Sequence, residues 1–152
     1  MTGYEFWTFV HISSAIVWIG GAAVAQAFGI LAKRSGDPQR SMAFGQDMAF
    51  IGPRVFMPAS LLVLVTGVIL TEDGNWEWSE PFVWLGIAGW AIVAFTAFAF
   101  LTRALGRAGA RMAAEGPSPA LGAELNRLVL LARVLILVLF AIVLVMVVKP
   151  GT

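Results

Sequence analysis

The segment HISSAIVWIGGA, residues 11–22, sets the only histidine of the chain inside an otherwise apolar run. The surrounding run, residues 6–32, exceeds the roughly 20 residues that a helix needs to cross about 30 Å of hydrocarbon. An ionisable side chain is costly in such a position and is by default a functional hypothesis. The sequence therefore raises the question of what an imidazole does inside a membrane helix.

Composition places the whole chain in a membrane. Of its 152 residues, 59% are hydrophobic and 12% are charged, whereas soluble domains average about 45–50% apolar residues. Further long apolar runs cover residues 52–71, 81–102 and 128–148. An alternating strand pattern is absent, and an open sheet would leave backbone groups unsatisfied in lipid. We therefore predict one all-α domain, residues 1–152, that forms an integral membrane four-helix bundle.

The charged residues predict the orientation of this bundle. Basic residues concentrate in the first connection, residues 33–51, and in the third, residues 103–127. The second connection, residues 72–80, is an acidic, tryptophan-rich hairpin without a basic residue. Because basic connections stay on the cytoplasmic side, we expect the hairpin and both termini on the outer side of the membrane.

Helical periodicity places His11 on an inward face. Ser14, Trp18, Gly21 and Ala25 share its angular position, and small residues allow helix backbones to approach closely inside a bundle. One hypothesis is that His11 merely holds the bundle together, through a hydrogen bond to Ser14, to a backbone carbonyl or to a neighbouring helix. The others are that it binds haem, or that it serves another metal or a proton relay.

A haem would require little from this chain. The porphyrin supplies four nitrogens, so that His11 as one axial ligand would suffice, and four-helix bundles commonly hold cofactors between facing helices. The sixth position would be open, or would be taken by Met146, by Lys149 or by His11 of a second subunit. Lys149 is also the nearest cation for outward-facing propionates. The competing interpretations are core packing for Met146 and interfacial anchoring for Lys149.

Other chemistries find less support. Copper requires more ligands than His11 and Met146 supply, and the chain has no cysteine. Neither a phosphate-binding glycine loop nor a pair of catalytic carboxylates is evident. Nucleic-acid binding is not predicted, because its only support is a set of arginines expected to face the cytoplasm.

Several arginines have open roles. Three lie at positions i, i+4 and i+8 of the third connection: Arg103, Arg107 and Arg111. This stripe would bind anionic lipid or an acidic partner, or simply extend the helix under the positive-inside rule. Arg54 and Arg133 lie within spans, where we expect them to extend to the interface, to pair with an acid such as Asp47, or to bind an acidic lipid, quinone or tetrapyrrole headgroup.

The residues resemble a known superfamily. HISSAIVWIGG has a histidine followed seven residues later by tryptophan and then by two glycines, and VLVMVVKP is a valine-rich ending closed by Lys-Pro. Both resemble the bacterial four-helix proteins grouped with the copper-resistance protein D domain and the HemJ-type protoporphyrinogen oxidases. TGVIL, the hairpin and EPFVWLGI resemble a branch of this superfamily described as predicted integral membrane proteins.

The resemblance implies a compact four-helix membrane bundle. In HemJ-type members it further implies haem b, bound by the first-helix histidine, and oxidation of a porphyrinogen; the matching positions are His11 and Lys149. We accordingly expect a haem-binding redox or tetrapyrrole-handling protein, and leave open whether it is an enzyme. The alternatives are a non-catalytic subunit of a larger respiratory or transport complex, and a copper-handling protein. A homo-oligomer is expected in the first case.

Overall fold

The computed structural model describes residues 2–150, in which four long helices and no strand occur. These are α1 (Gly3–Arg34), α2 (Pro38–Asp73), α3 (Pro81–Glu115) and α4 (Pro119–Val148). Each is long and apolar enough to cross a membrane. The predicted all-α membrane four-helix bundle is therefore confirmed, while the ends of the predicted domain, residue 1 and residues 151–152, lie outside the described residues.

The helix boundaries follow local capping signals. The hydroxyl of Thr2 accepts a hydrogen bond from the backbone N–H of Glu5, whose carboxylate accepts one from the N–H of Thr2. Asp37 and Ser118 cap α2 and α4 by accepting the backbone N–H of Gln39 and Leu121, and each is followed by a proline at the first helical position. Lys149 adopts a left-handed conformation and ends α4. The connections are consequently short.

The helices extend beyond the predicted membrane spans. Most of residues 33–51 and 103–127 continue α1, α2, α3 and α4, and only residues 35–37 and 116–118 separate them. We call this side of the bundle the arginine-rich end. The opposite side, which contains residues 74–80, the start of α1 and the end of α4, is called the hairpin end.

The four helices pack as two pairs near the hairpin end. There α1 packs on α2 and α3 packs on α4, whereas α1 meets α4 mainly beyond residue 16, toward the arginine-rich end. The buried core consists of Trp18, Ala59, Val93, Leu101, Ala104, Ala108, Leu121, Leu128, Leu135 and Leu139. Space is therefore left between the two pairs in the hairpin half.

The outside of the bundle is apolar. Phe95 and Val147 are each 75% exposed, and many other large aliphatic and aromatic side chains share this outward orientation. Such a surface would be a liability in water, but it matches lipid tails along the length of four spanning helices. The protein is thus a multi-pass membrane protein that contacts the bilayer on all sides.

A glycine of α1 packs against an aromatic ring of α2. Wide π-helical turns interrupt both helices at Ile16–Gly20 and Gly52–Phe56, and the two turns lie against each other. A Cβ on Gly21 would lie 2.5 Å from Cε1 of Phe56, whereas one on Gly20 would meet nothing within 4 Å. A side chain at position 21 would therefore displace the ring of Phe56.

We expect Gly21→Ala to destabilise the protein by about 1–3 kcal/mol, because the new methyl group displaces the ring of Phe56 from a packed contact. Gly20→Ala is the matched control and should be neutral or stabilising, since alanine favours a helix by up to about 1 kcal/mol over glycine. Thermal unfolding in detergent micelles compares the two variants. Equal stability of the two would contradict this account of the α1–α2 contact.

Candidate functional site

His11 is half-buried on α1 and forms a hydrogen bond to α2. Its Nδ1 lies 2.9 Å from Oγ1 of Thr66, and the same Oγ1 lies 2.5 Å from the carbonyl oxygen of Leu62. Because a hydroxyl has a single hydrogen, which Thr66 donates to Leu62, its oxygen accepts from Nδ1–H of the imidazole. The hydrogen-bond network therefore assigns the neutral ring a proton on Nδ1 and a lone pair on Nε2.

The ring is further held by a glycine. A Cβ on Gly67 would lie 3.3 Å from Cε1 of His11, so the backbone of α2 lies directly against the imidazole. Within residues 2–150, every side-chain nitrogen or oxygen that is shielded from solvent in a non-exposed residue has a hydrogen-bond partner. The hydrogen bond to Thr66 occupies Nδ1, and the imidazole lines a cavity.

A cavity of about 680 Å³ lies beside the imidazole, between the two helix pairs. Its volume falls within the range of about 300–1,000 Å³ that is common for cofactor and small-molecule sites. All four helices contribute to its predominantly apolar wall. Four predicted site residues line it together: His11, Trp18, Met146 and Lys149. Ser14 is buried, but it does not line the cavity.

The cavity opens toward lipid. Several of its lining side chains are themselves exposed on the outside of α1 and α4: Ile12, Ile16, Phe140, Val143 and Val147. This gap lies in the hairpin half, where α1 and α4 are not packed together. A molecule that enters here leaves the hydrocarbon of the bilayer rather than water, which favours a lipophilic ligand.

Met146 and Lys149 define the wall of the cavity that α4 contributes. A Cβ on Gly86 of α3 would overlap Cε of Met146, so the thioether side chain occupies the space that this glycine provides. Nζ of Lys149 lies 4.2 Å from the ring centroid of Trp76 and 5.5 Å from that of Phe82. These cation–π contacts hold a positive charge where the cavity meets the hairpin end.

The donor set of the cavity is small. Among residues 2–150, no carboxylate side chain lines it. Within the same residues, no group of three or more His, Cys, Asp or Glu side chains is positioned to hold a metal ion. A metal held by a porphyrin takes four nitrogens from the macrocycle and needs only one or two axial ligands from the protein.

The two arginines in the spans form no ion pair. The guanidinium of Arg54 lies 4.1 Å from the ring centroid of Phe50 and donates to the Phe50 carbonyl at 3.4 Å. Of the alternatives considered, pairing with an acid such as Asp47 is not found, since neither Arg54 nor Arg133 forms a salt bridge within residues 2–150. Both side chains are exposed, which agrees with extension to the interface or contact with a headgroup.

Sequence reasoning missed Thr66 and Gly67. Of the three kinds of partner considered for His11, the structure has the neighbouring helix: the bond goes to Thr66 of α2 and not to Ser14. The available signal was LVLVTGVIL, residues 62–70, in which one hydroxyl and one glycine interrupt an aliphatic run. Such a signal shows that a polar contact exists within the bundle, but it does not identify the partner.

We expect Thr66→Val to lower the free energy of unfolding by about 0.6–1.7 kcal/mol, the size of interhelical hydrogen bonds in membranes. Thr66→Ser keeps the hydroxyl and is the control. A double-mutant cycle with His11→Ala, measured by unfolding in detergent, should give a coupling energy of about 0.6 kcal/mol. Strict additivity would show that the bond does not connect the helices energetically.

Comparison with known proteins identifies a family. No curated protein and no solved structure matches the chain. One family model matches residues 6–150, which include almost all of the four helices and every residue that lines the cavity except Tyr4. The chain therefore belongs to the family described as "Predicted integral membrane protein (DUF2269)".

Proposed function

We propose that the protein binds haem, as haem b, or a closely related tetrapyrrole, with Nε2 of His11 as an axial ligand. The observation that supports this most directly is the hydrogen bond between Nδ1 of His11 and Thr66. It leaves the lone pair of Nε2 available in a ring that lines a cavity of about 680 Å³. A planar, lipophilic macrocycle suits the apolar wall and the gap toward lipid.

The residues around His11 fit such a ligand. A metal-ligating histidine usually donates its second ring N–H to a fixed acceptor, which sets its tautomer and orientation. Thr66 is that acceptor here, and Gly67 gives the ring room against α2. Bound haem would supply one-electron redox chemistry, while the protein would set its environment.

Met146 and Lys149 have separate parts in this proposal. Met146 is the candidate for a second axial ligand, since its thioether lines the same cavity as His11. Lys149 is held over the rings of Trp76 and Phe82, and this position suits its ammonium to pair with the carboxylates of the haem propionates at the hairpin end. Trp18 contributes an apolar wall on α1.

The wider resemblance supports the same function. His11 and Lys149 match positions that, in HemJ-type proteins, accompany haem b and porphyrinogen oxidation, and an oxidase would be the enzymatic form of this proposal. A homo-oligomer fits as well, because a second copy would cover the apolar gap between α1 and α4. Copper handling is less favoured, because His11 and Met146 together offer too few ligands.

The proposal also includes a location. The resemblance to bacterial proteins implies a bacterial inner membrane, and the basic residues of the arginine-rich end and the acidic hairpin favour an arginine-rich end in the cytoplasm and a hairpin in the periplasm. His11, eight residues after the start of α1, would then lie about 12 Å along the helix axis from the periplasmic end. Electrons or a tetrapyrrole would therefore be exchanged near the outer leaflet.

The haem proposal predicts a Soret band that depends on His11. Purified protein in detergent is titrated with haemin, and His11→Ala should abolish the axial-ligand signature. Thr66→Val should weaken haem affinity about tenfold, because it removes the hydrogen-bond partner of Nδ1 in the ligating histidine. Met146→Leu should alter the spectrum with haem still bound. Ser14→Ala is the matched control, since Ser14 is buried one helical turn away but outside the cavity.

Two outcomes would contradict the proposal. If the His11→Ala variant bound haem with an unchanged spectrum, His11 would not be an axial ligand. A wild-type protein that stays colourless, gives no Soret shift with haemin and co-purifies with larger membrane proteins would favour the role of a non-catalytic subunit.

The orientation is testable because the chain has no native cysteine. We expect Ser79→Cys in the hairpin to react with a membrane-impermeant maleimide in intact spheroplasts, and Gln39→Cys near the start of α2 to react only after lysis. Both positions are exposed, so that accessibility in the folded protein is matched. The reverse labelling pattern would invert the topology.

A further inference from the structure

A second cavity lies at the arginine-rich end, far along the bundle from His11. It has a volume of about 650 Å³ and lies between α3 and α4. We call it the basic groove, and its wall is formed by residues that include Phe100, Arg107, Glu124, Arg127, Leu128 and Leu131. Arginines and large apolar side chains therefore share one concave surface.

The ion pairs around the basic groove leave a net positive charge in it. Nη1 of Arg111 lies 3.0 Å from Oε2 of Glu124, and Nε of Arg111 lies 3.9 Å from Oε1 of Glu115. Glu124, the only acidic residue of the groove wall, is therefore already paired. Arg107 and Arg127 form no salt bridge within residues 2–150, so the charge of two guanidiniums is uncompensated.

The two kinds of lining residue lie at different depths. Arg107 and Arg127 lie beyond the ends of the apolar runs 81–102 and 128–148, at the level where a span meets the headgroups. Phe100 and Leu131 lie about one to two turns farther into the spans, at about 5.4 Å per turn. The groove thus presents cations at headgroup depth and an apolar wall at the depth of acyl chains.

We propose that the basic groove binds an anionic phospholipid, with Arg107 and Arg127 on the phosphate and with Phe100, Leu128 and Leu131 against an acyl chain. Basic pockets between transmembrane helices on the cytoplasmic side are suited to such headgroups, and arginine matches the geometry of a phosphate through paired N–H donors. A soluble acidic partner would contact the arginines but would leave the apolar wall of the groove uncovered. The lipid would join α3 to α4 where they enter the membrane.

This assignment changes which arginines matter. The sequence grouped Arg103, Arg107 and Arg111 into one helical stripe, but only Arg107 of these lines the groove. Arg111 is engaged by two carboxylates. Arg127, which precedes the fourth apolar run and lies outside the stripe in sequence, supplies the second cation.

The test is competitive lipid binding followed by native mass spectrometry. The full-length protein in non-ionic detergent is mixed with equal amounts of phosphatidylglycerol and phosphatidylcholine, and we expect it to retain phosphatidylglycerol preferentially. Arg107→Gln/Arg127→Gln should reduce this preference by about fivefold for each arginine removed. Arg34→Gln/Arg40→Gln removes the same charge from exposed positions outside the groove and should keep the preference.

Three results would overturn the lipid site. They are an equal loss of preference in both double variants, an unchanged preference in Arg107→Gln/Arg127→Gln, and displacement of phosphatidylglycerol by inorganic phosphate alone, which would indicate a site for a free anion. Circular dichroism and thermal unfolding of each variant show that the comparison is made on folded protein. Because the groove is remote from the cavity at His11, the outcome is independent of haem binding.

Discussion

The hydrocarbon of the bilayer offers no hydrogen bonds, and the internal structure of this protein follows from that constraint. Backbone groups are satisfied within four helices, and three polar side chains of the spans bond to a neighbouring helix inside the bundle. His11 bonds to Thr66, and the indole N–H of Trp90 donates to the Ser60 carbonyl at 2.8 Å. Gln26 donates to the Val129 carbonyl at 3.3 Å. These few contacts connect α1 to α2, α2 to α3, and α1 to α4.

The same medium leaves no hydrophobic force to press the helices together, so close packing determines where they touch. Phe56 on Gly21 and Met146 on Gly86 are two examples in which a large side chain fills the space over a glycine. Packing of this kind joins α1 to α2 near the middle of the bundle and α3 to α4 in the hairpin half. The cavity at His11 lies between the two pairs, because α1 and α4 are not packed together in the hairpin half.

The two ends of the bundle have different chemistry. The hairpin end combines an imidazole, a thioether and a lysine held over aromatic rings around an apolar cavity. The arginine-rich end combines an apolar wall with two guanidiniums that form no ion pair within residues 2–150. A lipophilic macrocycle suits the first and an anionic headgroup suits the second. Both ligands would come from the membrane itself, which agrees with a protein whose spans expose many large apolar side chains.

The sequence by itself determined the membrane class, the number of helices and the inward orientation of the face that carries His11 and Trp18. Hydropathy and helical periodicity are local properties, and lipid leaves a chain of this kind almost no other fold. Only the tertiary structure decided that Thr66 rather than Ser14 bonds to His11, that Met146 and Lys149 share its cavity, and that Arg127 rather than Arg111 lines the basic groove. These pairings depend on the rotation and separation of helices far apart in sequence, which periodicity within one helix cannot specify.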